Sequence, residues 1–248
     1  ANADLSATVA VTGGQIADGA VTIAKLAATG TAEAGTYLQG NNTWGAIAAA
    51  GFNSVQTFTA SGTWTKPAGV TKIIVEVQAG GGAGSRHTVI SNCSGGTGGG
   101  HVWAFLDVTN IDTATVVVGL GGTGVNLNVT GAAGGVSSFT KLAGSGSFTA
   151  LSATGGNGGT IAYETSTAGV GGSGPATDCV VWVSGNSGGG LGTHMFGSDS
   201  KWGIGGPTAY SSYAQLPDAK GYGGGGGGAY SITAGNGSAG LVIVQEFK

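Results

Sequence analysis

The chain has 248 residues, a formal net charge of −3, 55 glycines and only 8% charged residues. Its eight lysine and arginine residues are scattered singly, which argues against nucleic-acid binding, and no apolar run approaches the roughly 20 residues that cross a bilayer. A disordered chain combines low hydrophobicity with high charge, whereas this one is 40% hydrophobic and carries few charges. We therefore expect a folded protein that binds no nucleic acid and does not insert into a membrane.

Residues 1–51 differ in character from the rest of the chain. Apolar groups at Ile16, Ala20, Ile23 and Ala27 are spaced by three and four residues, which suits one face of a short helix. A glycine and β-branched residues within the segment disfavour a helix, so an extended segment wound around partner copies is the alternative. Either form is too small to bury its apolar face alone, and the segment therefore predicts a partner chain.

From Phe52 onward the pattern changes to short strands separated by turn signals. In residues 72–78 the apolar side chains of Ile73, Val75 and Val77 alternate with other residues, as in a strand with one buried face. The other segments with strand pattern are 55–58, 63–70, 101–108, 114–118, 179–183 and 240–247, with weaker candidates at 137–142 and 148–153. This succession predicts an all-β fold, either a β-sandwich or a jelly-roll-like domain.

Glycine-rich tracts lie between these strand segments. They include residues 80–82, 95–100, 155–159, 188–190 and 223–228. Such tracts form a flexible coil, or they pack as extended left-handed helices with three residues per turn, whose amides and carbonyls bond sideways to neighbouring tracts. We expect the ordered form, polyglycine II, because a disordered linker would not be interleaved with apolar, β-branched strand segments.

Two blocks near the N-terminus resemble the shafts of bacteriophage tail fibres. The phrase QIADGAVTIAKLA is similar to a repeated phrase of those shafts, and GTAEAGTYLQGNNTWGAI is similar to the segment that often follows it. This resemblance implies that residues 1–51 are a tail-fibre shaft or oligomerisation segment. Because such shafts are generally trimeric, it also implies a homotrimer.

The remainder resembles the glycine-rich C-terminal domain at the ends of many phage tail fibres. The matching blocks, in the same order, are FTASGTWTKPAGVTKIIVEVQAGGGAG, GGGHVWAFLDV, VVVGLGGTG, SSFTKL, LSATGGNGG and GGGGGGAYSITAGNGSAGLVIVQEF. The resemblance implies that residues 52–248 are a receptor-binding tip domain, in which framework strands and glycine tracts carry variable loops. It places the protein outside the cell, on the virion at the distal tail fibre, with other tail-fibre or baseplate proteins as neighbours.

Motifs for catalysis, cofactors or metals are weak. Residues 80–84 follow a strand as a dinucleotide fingerprint would, but no helix pattern follows, so we expect no cofactor. The three histidines and two cysteines match no zinc spacing, and we expect no metal. The carboxylates in the variable region are Glu164, Asp178, Asp199 and Asp218, and nothing in their spacing pairs two of them as a glycosidase requires. We therefore expect no catalytic residue and no enzyme. The sequence leaves open whether Cys93 and Cys179 form a disulfide.

Aromatic side chains are the more informative group. We interpret Trp64, Trp103 and Trp182 as framework, since each lies within a strand pattern. Tyrosine and tryptophan give large contact areas at low entropy cost, so aromatic residues among glycine and polar residues suit recognition. The predicted receptor-binding residues are His194, Met195, Phe196, Trp202, Tyr210, Tyr213 and Tyr222.

The sequence thus favours a phage tail fibre tip adhesin that binds a bacterial surface through loops near residues 160–235. The receptor is an outer-membrane protein or a surface glycan, and the sequence does not decide between them. Two alternatives stay open: a structural subunit of an extracellular filament or surface coat, and a polysaccharide depolymerase.

Overall fold

The computed structural model describes residues 33–46, 51–88, 93–126, 128–161, 181–183, 185, 195–208, 218–230 and 232–248. The chain divides into two compact units, residues 1–50 and 51–248. In the first unit, Thr36–Leu38 (β1) and Trp44–Ala46 (β2) pair antiparallel. The predicted helical face at residues 16–27 lies outside the described residues. Within the described part of the chain, no helix is long and apolar enough to span a membrane.

The second unit consists of strands joined by extended tracts and turns. Its strands are Phe52–Phe58 (β3), Gly62–Thr65 (β4), Lys72–Gln78 (β5), Arg86–His87 (β6), His101–Asp107 (β7), Thr113–Val117 (β8), Ser137–Ala143 (β9), Leu151–Ala153 (β10), Val181–Val183 (β11), Trp202–Ile204 (β12), Lys220–Tyr222 (β13), Ala229–Tyr230 (β14) and Leu241–Phe247 (β15). Two antiparallel sheets dominate, in the orders β11-β7-β5-β15-β3 and β10-β9-β8-β4. Two smaller pairs are β12-β13, which is antiparallel, and β14-β6, which is parallel. The predicted all-β, sandwich-like fold is confirmed.

The core lies between the two large sheets. In β5 the alternating side chains of Ile73, Val75 and Val77 are fully buried, as the sequence pattern predicts. They belong to one cluster with residues of the four-stranded sheet, including Trp64 and Phe139, whose rings meet edge-on at 5.8 Å between centroids. The prediction that Trp64 is framework is confirmed. Trp103 is half-buried on β7, and the side chain of Trp182 lies outside the description.

A buried carboxylate joins the two sheets. Glu246 in β15 is fully buried and accepts hydrogen bonds from the Trp64 indole and from the Gln56 amide, both at 2.7 Å, and from the Ser54 hydroxyl. Trp64 belongs to the four-stranded sheet, while the other three residues belong to the five-stranded sheet. Because a buried acid is stable only with hydrogen-bonding partners, this cluster fixes how β4 sits against β15 and β3.

Several of the described glycine tracts leave the two large sheets at one end. Gln78, the last residue of β5, lies opposite His101 at the start of β7 and Leu241 at the start of β15. In the other sheet, Ser137 at the start of β9 lies opposite Ala153 at the end of β10. The strands therefore continue directly into glycine tracts that run side by side beyond that end.

The amides of residues 80–85 show how these tracts pack. Their donors go in turn to three neighbouring tracts, and the partner repeats every third residue, at distances of 2.8 to 3.1 Å between nitrogen and oxygen. Gly80 donates to Gly135, and Ala83 donates to Ala132 of the same tract. Gly81 and Gly84 donate in the same way to Ser238 and Gly235, respectively. Gly82 and Ser85 donate to Thr97 and Ser94, respectively. A repeat of three residues is the period of the polyglycine II helix.

The carbonyls of the same tract bond to three further tracts. From the first tract, Gly156 donates to Gly80 and Gly159 donates to Ala83. From the second, Gly122 donates to Gly81. From the third, Gly226 donates to Gly82 and Ala229 donates to Ser85. The tract at 79–85 is thus surrounded by three acceptor tracts and three donor tracts, six in all, as in a hexagonal array. We call this array the glycine lattice. The predicted ordering of the glycine tracts is confirmed for those that the structure describes, while residues 188–190 lie outside it.

Close approach of backbones explains why these positions are glycine. A Cβ atom on Gly82 would lie 2.0 Å from the carbonyl oxygen of Asn157, and one on Gly81 would lie 2.0 Å from that of Gly224. Neither contact can be relieved by a flexible side chain, because both involve backbone atoms. The lattice therefore requires glycine wherever a neighbouring tract passes over the Cα atom.

Candidate functional site

A short two-stranded ribbon consists of β12 paired with β13 and adjoins the glycine lattice. Trp202 lies opposite Tyr222, Ile204 lies opposite Lys220, and a glycine pair separates the two. Directly opposed residues of an antiparallel pair lie side by side, so Trp202 neighbours Tyr222 and Ile204 neighbours Lys220. We call Trp202, Ile204, Lys220 and Tyr222 the ribbon face.

The ribbon face is well exposed. Trp202 is 41% exposed and Ile204 is 68% exposed, although both are large apolar residues. Lys220 is exposed, and Tyr222 is half-buried. A shallow depression of about 430 Å³ lies here, lined by Asp199, Ser200, Lys201, Trp202, Gly203, Ile204, Lys220 and Gly221. Adjacent exposed apolar groups with a polar border are typical of a binding surface.

Local hydrogen bonds fix the start of the ribbon. The Ser200 hydroxyl donates to the carbonyl of Tyr222 and accepts from the amide of Trp202. The Ser200 amide donates to the carbonyl of Gly203 at 2.9 Å. One carboxylate oxygen of Asp199 accepts from the amide of Gly205 at 2.8 Å. Serine and aspartate bond readily to nearby backbone groups, which is why the sequence turns tightly here.

Both strands of the ribbon are tied to the glycine lattice. On one side, Ser198 donates to Gly96 and accepts from Gly225. On the other side, Tyr222 is followed at once by Gly223, whose positive φ of 77° turns the chain into the tract at 223–228. The ribbon is therefore held at the beginning of β12 and at the end of β13.

A buried polar cluster anchors the ribbon to the five-stranded sheet. The Lys201 ammonium forms an ion pair with the carboxylate of Glu76 in β5, and the ammonium nitrogen is 5.2 Å from the ring centroid of Trp202. Nε2 of His101 in β7 lies 3.3 Å from the same Glu76 oxygen. Burial lowers the pKa of His101 and the Lys201 charge lowers it further, while the hydrogen bond and the charge of Glu76 oppose this lowering without reversing it. His101 is therefore neutral at neutral pH, and Lys201 is the cation that balances Glu76.

The structure places the sequence-predicted binding residues in different surroundings. Trp202 and Tyr222 come together as a cross-strand pair, and Phe196 is exposed by 48%. His194, Tyr210 and Tyr213 lie outside the described residues. For these residues the predicted receptor contact stays a prediction.

Met195 requires a correction, because its side chain is fully buried. Its sulfur accepts from the Cys93 thiol, whose pKa is raised by burial, and its carbonyl accepts from the amide of Gly228. The unbranched side chain fills space beside the lattice, so the expectation that Met195 contacts a receptor is wrong. The question of a disulfide between Cys93 and Cys179 falls on Cys179, which lies outside the described residues.

Several residues of the depression are absent from the sequence-based prediction. These are Lys201, Ile204 and Lys220, which the pairing of β12 with β13 brings to the depression, whereas Asp199 enters the sequence-based prediction only as a possible catalytic carboxylate. A signal for the pairing exists: Trp-Gly-Ile and Lys-Gly-Tyr both place a glycine between two large side chains. The sequence prediction selected the aromatic residues of these triplets and overlooked their partners.

The described residues include no arrangement of side chains suited to metal binding, and the two described carboxylates of the four considered above have structural roles. Among those residues, no group of three histidine, cysteine, aspartate or glutamate side chains is arranged to hold a metal ion. Of the four carboxylates considered above, Glu164 and Asp178 lie outside the description. Asp199 and Asp218 each accept a hydrogen bond from a backbone amide, which gives both a role in turn structure.

A sandwich of two sheets continued by packed glycine tracts defines a glycine-rich all-β domain. The sequence profile of a family described as "Glycine-rich domain" matches residues 53–246, which is most of the chain. The protein therefore belongs to this glycine-rich domain family. A comparison with curated proteins finds no match.

Proposed function

We propose that this protein is a non-enzymatic adhesin, the receptor-binding tip of a phage tail fibre, which attaches the virion to a bacterial surface. The observation that carries the proposal is the ribbon face, which displays Trp202 and Ile204 to solvent on a support bonded at both ends. Such exposure has no benefit for folding, and it suits contact with a receptor. The resemblance of both parts of the chain to tail-fibre segments supplies the biological setting.

The glycine lattice supports this role physically. Hydrogen bonds join the tract at 79–85 to six neighbouring tracts, and further bonds to tracts hold the ribbon at Ser198 and at Gly223. A preorganised surface loses less conformational entropy on binding, and more of the contact energy appears as affinity. Connecting segments also tolerate sequence change better than the elements they join, which lets a receptor-binding surface vary.

The N-terminal unit supports assembly with further copies. The pair β1-β2 has only two short strands, and Tyr37 is 50% exposed and Leu38 is 37% exposed. A two-stranded sheet of this kind is marginally stable alone in water and is stabilised by packing against another surface. We propose that residues 1–51 form part of a trimeric shaft, on the virion's distal tail fibre. Three tips on one fibre add avidity to a modest single-site affinity.

The test is binding of fluorescently labelled protein to a panel of bacterial strains, with its mass in solution measured in parallel. We expect a trimer that binds some strains and not others. The double variant Trp202→Ala/Tyr222→Ala should lose most of this binding. Leu142→Ala is the matched control, because Leu142 is a similarly exposed apolar residue on β9, in the four-stranded sheet. Absence of binding to every strain of a broad panel would overturn the proposal.

One observation favours a second candidate, a structural subunit of a filament or surface coat. Strand β3 lies at the edge of the five-stranded sheet, has the uncharged sequence FNSVQTF, and exposes Phe52 and Val55. Natural edge strands usually carry charges or proline that prevent pairing with another chain. Growth into long polymers, together with absence of cell binding, would favour this candidate over the adhesin.

A further inference from the structure

We propose that the ribbon face and its depression form a saccharide-binding subsite, in which the Trp202 indole stacks against one face of a pyranose ring. This inference rests on the proposed adhesin function and specifies its receptor as a surface glycan. The depression beside the paired strands β12 and β13 combines the exposed indole of Trp202 with Asp199, which only accepts hydrogen bonds, and Lys220, which only donates them.

The indole suits the apolar part of a sugar. A pyranose ring presents several C–H groups on one face, and neighbouring oxygens polarise them positively. The face of an aromatic ring is negative, so it attracts such groups as well as burying them. The Trp202 backbone is fixed by the hydrogen bond from its amide to the Ser200 hydroxyl, and the Lys201 ammonium lies 5.2 Å from the indole centroid, so the ring has a neighbour that limits its motion before a ligand binds.

The border of the depression suits the hydroxyl groups of the ring. Asp199 accepts hydrogen bonds only, and one of its oxygens is already fixed by the Gly205 amide. Lys220 donates only, it is exposed, and it lines the same depression as Trp202. Sugar hydroxyls both donate and accept, so they match this pair. The second lysine, Lys201, forms an ion pair with Glu76, so its charge is already balanced within the protein. The depression therefore does not need an anionic ligand to balance that charge.

The dimensions also favour a glycan unit over a protein loop. The depression measures about 430 Å³, near the lower end of the range for small-molecule sites, and it is open rather than enclosed. A standard protein interface buries about 800 Å² on each partner, whereas the ribbon has three residues in each strand. One small subsite gives low affinity, but a polysaccharide repeats its sugar and can engage several tips at once.

Two treatments of a strain that binds the protein identify the receptor's chemistry. Periodate cleaves sugar rings at vicinal diols, and proteinase K removes exposed protein loops. We expect binding to survive proteinase K and to be lost after periodate. Loss after proteinase K with survival after periodate would overturn the saccharide inference while leaving the adhesin intact. Failure to bind any untreated strain would instead contradict the proposed function.

A pair of variants then tests the stacking itself, with polysaccharide purified from that strain as the probe. Trp202→Phe keeps a flat aromatic face, while Trp202→Leu keeps an apolar side chain without one. We expect Trp202→Leu to weaken binding about tenfold and Trp202→Phe to weaken it about threefold or less. Equal weakening by both variants would overturn stacking as the mode of recognition. Circular dichroism and thermal unfolding of both variants confirm that each is folded.

Discussion

Lys201, one residue before the ribbon, forms an ion pair with Glu76 in the middle of the five-stranded sheet. The carboxylate is nearly buried, whereas the lysine side chain is 41% exposed. This pair connects the ribbon to the core of the domain. The position of the ribbon therefore depends on Glu76, a residue of the core sheet.

The first prediction concerns removal of that connection. Lys201→Met should leave Glu76 buried without a cation and lower the free energy of unfolding by about 1 to 2 kcal/mol, less than for a fully buried pair because Lys201 is partly exposed. Lys220→Met is the control, since it removes an exposed lysine of the same ribbon, and it should change stability by less than about 0.5 kcal/mol. Urea unfolding of both variants measures the difference. Equal stability of the two would show that the ion pair does not anchor the ribbon.

The second prediction concerns pH and follows from His101. Its pKa is lowered in the folded protein, so between that value and about 6.5 the unfolded chain holds a proton that the folded chain does not. Stability should therefore be full above about pH 6.5 and fall as the pH decreases below it. Urea unfolding at pH 7.5 and at pH 5.5 measures this fall.

His101→Gln provides the comparison, because it removes the titrating group and keeps a polar side chain. The variant should be less sensitive to pH over the same interval. Asp107 does not interfere, because its pKa is held below its usual value by hydrogen bonding from Lys72, far beneath this interval. An unchanged pH dependence in His101→Gln would refute the assignment to His101.

The third prediction concerns the glycine lattice. Gly82→Ala places a Cβ atom 2.0 Å from the Asn157 carbonyl oxygen and should destabilise the domain by about 3 kcal/mol or prevent folding. Gly62→Ala is the matched control, because its new Cβ atom would meet only the Phe58 ring at 3.8 Å. That variant should be neutral or slightly stabilising, since alanine restricts the unfolded chain. Thermal unfolding distinguishes the two, and similar melting temperatures would contradict close packing at Gly82.

The fourth prediction concerns protection of the amides in the same tract. Each amide from Gly80 to Ser85 donates to a neighbouring tract, so these hydrogens should exchange only when the domain unfolds globally. A glycine-rich coil without such bonds exchanges within seconds under the same conditions. Amide hydrogen exchange followed by mass spectrometry or NMR reports the protection, and rapid exchange across residues 80–85 would refute the lattice.

Much of the framework is predictable because its physics is local. Alternation in residues 72–78 identifies β5 and its buried face, since a strand repeats every two residues. The glycine tracts are recognisable as a class for the same reason, because lack of a Cβ atom is visible in the sequence. Which tract neighbours which is not predictable, since the partners of Gly81 at Gly122 and Ser238 depend on how the whole unit assembles.

The candidate site is less predictable, because it is made by pairing of distant segments. Trp202 and Tyr222 are recognisable as aromatic residues among glycines, but Lys220 gains its place only from its register with Ile204. Met195 misled the prediction because a large apolar residue between glycine tracts looks the same in sequence whether it faces solvent or fills the interior. Burial is decided by neighbours from other parts of the chain, here Cys93 and Gly228.

The three-residue repeat of hydrogen bonds restricts which insertions the glycine tracts of such a domain can accept. Adding three residues to each of two neighbouring tracts extends both by one turn, or about 9 Å, and returns every amide to the side from which it started. Adding one or two residues instead rotates everything beyond the insertion and breaks its pairing. The length of the glycine lattice is therefore adjustable in whole turns, so that the number of glycines sets length while residues such as Trp202 set chemistry.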